Sequence, residues 1–224
     1  MKVGSRKLSL TLGAVVMLAL LPVRAEAQTG PYSPMFWSFE GSVGMVLPMG
    51  DIADAAESGP AFTAAASYFM SPRLALRAEG GLDMLGTKGS VDPNFQILHL
   101  LGGIEYHLVD PMGNTTVAVD VLAGASTFDT DVIRVHDHPS SGDFTVGLVN
   151  GSYVSGNAGI KVGYNFARHA DSGVPMVTLF AHAKVRMIWA DAENTHVYMA
   201  LNGLDGFDTV MEIPFSVGLR INFP

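Results

Sequence analysis

No cysteine occurs among the 224 residues. That excludes a disulfide scaffold, a thiolate metal site and an N-terminal lipoprotein anchor. Charge is scarce, 15% of the chain, although no stretch reads as disordered. Long apolar runs are lacking too. Beyond the N-terminal segment none could cross a membrane as a helix, yet mean hydropathy is high at +0.29. Hydrophobicity without helical spans suits a membrane barrel, in which only alternate residues face lipid. What the sequence does have is glycine, 25 residues, and length enough for one domain with a substantial core.

The N-terminus sets the expected compartment. Lys2, Arg6 and Lys7 form a basic leader, Leu8 to Leu21 a mostly apolar run, and Ala25-Glu26-Ala27 an A-x-A cleavage site. Residues 1–27 therefore read as a signal peptide, residues 28–35 as a short periplasmic lead-in, and 36–224 as the folded domain. Cleavage removes Lys2, Arg6, Lys7, Arg24 and Glu26, leaving 9 basic and 20 acidic residues and a net charge of −11. Such a chain is not drawn to nucleic acid or anionic lipid by charge. Its acidic external loops are expected to meet lipopolysaccharide through shared divalent cations.

The closing stretch carries the pattern. Met211, Ile213, Phe215, Val217, Leu219, Ile221 and Phe223 alternate with Glu212, Pro214, Ser216, Gly218, Arg220 and Asn222. A period of two means a strand with one oily and one wet face. The same alternation predicts strands over Phe36–Pro48, Pro60–Met70, Arg73–Leu85, Phe95–Leu108, Thr115–Thr127, Tyr153–Phe166 and Met176–Trp189, making eight. Ser71-Pro72 and Asp110 to Asn114 are turn signals. Links after odd strands tend to be long and those after even strands shorter. Asn150-Gly151 is also a hairpin signal that would make ten strands. We expect instead that strands five and six extend beyond the membrane, with Asn150-Gly151 as a bulge.

Gly218-x-x-Ile221-x-Phe223 resembles the C-terminal signal that hands outer-membrane barrels to their assembly machinery, except that Pro224 follows the aromatic residue. With the strand count and loop asymmetry, nearly the whole mature chain resembles the small OmpA/OmpX-type barrels. Pro48-Met49-Gly50-Asp51 and Gly59-Pro60 also resemble loops of related proteins. The resemblance implies an all-β fold, an eight-stranded antiparallel up-and-down transmembrane β-barrel in the outer membrane. It further implies outer-membrane lipid, lipopolysaccharide and the barrel assembly machinery as partners. No peptidoglycan-binding domain follows, so a tethering role is not carried over.

The charged residues within the strands all fall in the polar register: Glu40, Glu79, Asp83, Glu105, Asp120 and Glu212, with Arg73, Arg77, Lys161, Lys184, Arg186 and Arg220. A Lys or Arg turned to lipid at the midplane costs roughly 2–4 kcal/mol, so the charges are expected inside, paired across a narrow lumen filled by side chains. A lipocalin-like carrier would have the opposite polarity. Trp37, Phe39, Tyr68, Tyr106, Tyr164, Trp189, Phe215 and Phe223 are expected to form interfacial girdles.

Catalysis finds little support. His99, His107 and His182 share the inward register. The loop residues His136, Asp137, His138, Ser140, Ser141 and Asp143 hold the residue types of a loop-borne active site, as in barrel acyltransferases, but no motif that fixes its geometry. His136 and His138 with Asp129, Asp131, Asp137 and Asp143 hold ligand types for a divalent ion, as acidic loops commonly do. No phosphate loop is present, and no cofactor is called for. Pro214 removes a ladder donor inside the last strand. It reads as a bulge, or as a weakened seam through which a small hydrophobic molecule passes sideways into lipid, as in OmpW-like barrels. The expected role is structural or surface-interacting and non-enzymatic. The alternatives are a narrow transporter of small hydrophobic molecules and a lipid-A-modifying enzyme. The external partner is not named by the sequence.

Overall fold

The computed structural model describes residues 35–50, 52–87, 95–130, 133–135, 144–146, 151–170, 172–190 and 209–223. The expected signal peptide and nearly all of the lead-in lie outside them, as do His136 and His138. Eight long strands form one antiparallel sheet: β1 Phe36–Met49, β2 Gly59–Phe69, β3 Leu74–Thr87, β4 Phe95–His107, β5 Thr115–Thr130, β6 Gly151–Arg168, β7 Pro175–Trp189 and β8 Thr209–Phe223. Each pairs with its neighbour in sequence, and β1 pairs with β8 from Trp37↔Phe223 to Met49↔Met211. The sheet is thus a closed up-and-down barrel, which leaves no unpaired edge to meet lipid. Among the described residues no helix is long and apolar enough to cross a membrane.

Both ends of the chain's barrel portion lie at one rim, the terminal rim. Strands β1, β3, β5 and β7 end at the other, the loop rim. There Ile52–Ala55 forms a single helical turn after β1, and Ile52 and Ala56 are fully buried. The β5–β6 hairpin is the longest. Its register runs unbroken from Thr115↔Tyr164 to Phe128↔Gly151. A separate ribbon, Ile133–Val135 against Phe144–Val146, keeps the same count, with Ile133 opposite Val146 and Val135 opposite Phe144. The barrel closes with eight long strands rather than ten; the residues that join this ribbon to β5 and β6 lie outside the described ones. Gly151 pairs with Phe128 without a shift; Asn150, the other residue of the expected bulge, lies outside the described residues.

Polarity follows register. The outward set is oily and open: Leu100 is 71% exposed, Val154 65% and Val217 58%. At the terminal rim aromatic rings gather on this face. Trp37 lies 4.9 Å from Tyr68, Phe39 5.9 Å from Phe223, and Tyr164 5.4 Å from Phe166. Leu100 sits mid-strand, so Leu100→Arg puts a charge where acyl tails are deepest. We expect it to cost about 2–4 kcal/mol in urea titrations of the barrel folded into lipid vesicles. A cost near zero would mean that this face does not meet lipid.

The inward set is not purely polar, contrary to the simple alternation. At the terminal rim Phe36, Phe69, Ala75 and Val174 form a buried apolar cluster with Met112 against it, and the Phe36 and Phe69 rings stack at 4.1 Å. Below them the turns are stitched by amides. Asn165 Nδ2 donates to the carbonyls of Pro111 and Gly113, and Asn222 Nδ2 to that of Pro175. Toward the loop rim Val46, Leu85, Ile97, Phe128, Ile188 and Val210 are buried. The lumen thus has oily stoppers at both ends and charge between.

Candidate functional site

Eleven of the twelve expected lumen charges are buried, none more than 7% exposed. Arg73 departs from the expectation. It stands in the turn before β3 and is exposed. The chain reverses over Ser71 and Pro72, with the Met70 amide donating to the Leu74 carbonyl, so β3 begins only at Leu74.

Five strands supply the cluster nearer the terminal rim. Lys161 Nζ lies 2.8 Å from Glu40 Oε1 and 2.7 Å from Glu105 Oε2. Arg77 lies 2.8 Å from Glu40 and 3.3 Å from Glu105. The Arg220 guanidinium bridges the same two carboxylates. His107 accepts or donates at both ring nitrogens, 2.8 Å from Glu105 and 2.9 Å from Thr116 Oγ1. Two rings face the cations: Phe180 beneath Lys161 at 5.1 Å and Phe69 by Arg220 at 5.7 Å.

The second cluster lies nearer the loop rim. Lys184 meets Glu79 at 2.5 Å. Arg186 pairs with Asp83 and lies 3.2 Å from Glu212, and its guanidinium also lies 3.3 Å from His99 Nε2. Arg77 joins the halves through Glu79 at 2.9 Å, while Asp120 lies 4.0 Å from Arg77 and 2.9 Å from His182.

Burying a charge is tolerable only when it is paired and hydrogen-bonded, and each of the six carboxylates here has a cationic or imidazole partner. Several pairs run across the lumen between strands distant in sequence, such as Lys161 with Glu40 and Lys184 with Glu79. A one-residue slip of any strand would carry its charge out to the oily face, so the network also specifies register.

Chemically the arrangement fills space. Glu105, His107 and Thr116 line up as acid, imidazole and hydroxyl, but Thr116 is 4% exposed. The cavity beside them measures about 10 Å³, room for roughly one water and not for a substrate. Among the described residues no group of three or more His, Asp or Glu side chains is placed to hold a metal ion. The expected loop ligands lie largely outside those residues.

Pro214 is not at a bulge. The β7–β8 pairing skips Lys184 and Val185, opposite Pro214 and Ile213. It resumes at Arg186↔Glu212 with register unchanged. Of the expected assembly signal, Ile221 and Phe223 face outward, 45% and 49% exposed. Gly218 faces inward, where a Cβ would strike the Gly41 carbonyl.

A closed eight-stranded antiparallel barrel with an oily outside and an ionic inside is the fold of the small OmpA/OmpX-type outer-membrane barrels. Solved structures agree. The chain is similar to Neisserial surface protein A, with 13% identity, 86% of this chain and 99% of that one covered, and a TM-score of 0.55. It is likewise similar to a major outer membrane protein from Thermus thermophilus, with 12% identity, 85% and 100% covered, and a TM-score of 0.55. At such identities the likeness is one of fold. No family model and no curated protein sequence matches the chain.

Proposed function

We propose that the protein is an exported, integral outer-membrane barrel with a closed lumen and no catalysis, whose role is structural or surface-interacting. One observation carries this reading: the polarity is inside out. Eleven charged side chains are buried in the lumen while the outward set of leucine, valine, isoleucine and phenylalanine stands open. In water that surface would aggregate; in a bilayer it is solvated. The link between β5 and β6, which carries the ribbon Ile133–Val135 against Phe144–Val146, is the part we assign to an external partner. Lipopolysaccharide and the assembly machinery are the envelope partners of this reading, the latter addressed through Gly218, Ile221 and Phe223.

The test is fractionation followed by reconstitution. We expect the protein in the outer-membrane fraction and expect the unboiled form to migrate anomalously on a gel. In planar bilayers it should give no steady porin-like conductance, because side chains fill the lumen. Recovery in the soluble periplasm, or large stable conductance steps, would overturn the reading.

A second reading, passage of a small hydrophobic molecule, is favoured by the gap in the β7–β8 ladder at Pro214. Lys184, Arg186 and Glu212 occupy the lumen at that level, so we expect Pro214→Val to leave uptake of candidate hydrophobic solutes unchanged. A marked fall in uptake would favour the transporter.

A further inference from the structure

The sequence contains 12 methionines, and the barrel places three in one transverse row. Met211 on β8 is the direct partner of Met49 on β1 and also of Met187 on β7. In an antiparallel ladder directly opposite residues point to the same face, with Cβ atoms about 4.5–5.5 Å apart. All three occupy the outward register, Met49 at 39% exposure and the other two half-buried against their neighbours. The row lies one outward step below Trp189, the last residue of β7, and so close to the loop rim, where an ion from water can arrive.

Most of the outward face uses leucine, valine, isoleucine and phenylalanine, which serve as well against lipid. Methionine adds a polarizable sulfur on a side chain flexible enough to turn toward a shared point. Thioethers are soft, neutral ligands and select soft cations such as Cu(I). Neutral ligands leave the ion's charge uncompensated, which penalises a divalent ion far more than a monovalent one at the edge of an apolar phase. We propose that Met49, Met211 and Met187 form a thioether site for a soft monovalent cation of the Cu(I) or Ag(I) type.

The test uses the full barrel folded in a detergent free of thiols and thioethers, with folding checked by gel migration. Ag(I) is titrated in air, and Cu(I) without oxygen under a reductant, each against a competing chelator. We expect one equivalent to bind. Met211→Leu removes the central ligand with little change in volume, so the variant should stay folded and bind at least about tenfold more weakly. Met45→Leu, outward but paired with Phe215 and outside the row, should bind like the native chain, and Zn²⁺ should not compete. Equal affinity in native and Met211→Leu barrels, or no binding by the native barrel, would overturn the proposal.

Discussion

Gly44→Val is expected to yield no closed barrel. Gly44 lies on β1 opposite Ser216, in the inward register of the seam that joins first strand to last. A Cβ at this position would fall within the space of the Phe215 carbonyl oxygen and the Ser216 Cα, both backbone atoms of β8. No flexible side chain is there to swing aside. The closing strand itself would have to move, and with it the pairs from Trp37↔Phe223 to Met49↔Met211. Interior glycine in a strand often marks such close approach. Gly41 supplies the comparison three residues earlier. It faces outward, and a Cβ there would meet nothing within 4 Å. Gly41→Ala should therefore fold normally and gain about 0.5–1 kcal/mol from lost backbone freedom in the unfolded chain. Refolding into detergent, followed by an unboiled gel, separates the two. A fast-migrating folded band for Gly44→Val would show that the seam has slack that this packing denies.

Arg77→Met should lower unfolding free energy by about 3–5 kcal/mol, the cost of breaking a buried ion pair by removing one partner. Arg77 contacts Glu40, Glu79 and Glu105 within 3.3 Å and joins the two halves of the network. Methionine fills much of the volume but leaves carboxylates facing one another in a medium that water does not screen. Arg73→Met, four residues away with the same parity, should change stability by no more than about 0.5 kcal/mol, because Arg73 is exposed in a turn. Urea titrations of both variants in lipid vesicles decide it. Equal losses would mean that the network contributes nothing beyond the bulk of its side chains.

The comparison of Arg73 with Arg77 also shows where a sequence stops being legible. Parity assigns both to one face, but parity cannot say where a strand begins. The turn at Ser71-Pro72 delays β3 past Arg73. The strands, their number and their oily face were readable because a charge in lipid is costly enough to purge that register. The apolar stoppers were not. Phe36, Phe69, Leu85 and Ile188 each sit beside an outward apolar residue, in the pairs Phe36-Trp37, Tyr68-Phe69, Met84-Leu85 and Ile188-Trp189. There the alternation breaks because both faces are oily. Adjacent apolar residues at strand ends were the available signal, and a strict two-residue period hides it. Which acid meets which base was likewise largely beyond reach, since partners such as Lys161 and Glu40, or Lys184 and Glu79, lie more than 100 residues apart and meet only once the sheet has curled shut.

The stoppers also bear on how the ionic interior responds to dissolved salt. Dissolved ions weaken exposed charge pairs within a Debye length of about 8 Å at physiological strength, but act far less on enclosed ones. With Phe36 and Phe69 at one end and Val46, Leu85, Ile188 and Val210 at the other, the carboxylates and guanidinium groups are shielded from brine and fresh water alike. The wall's cohesion is thereby uncoupled from external salinity.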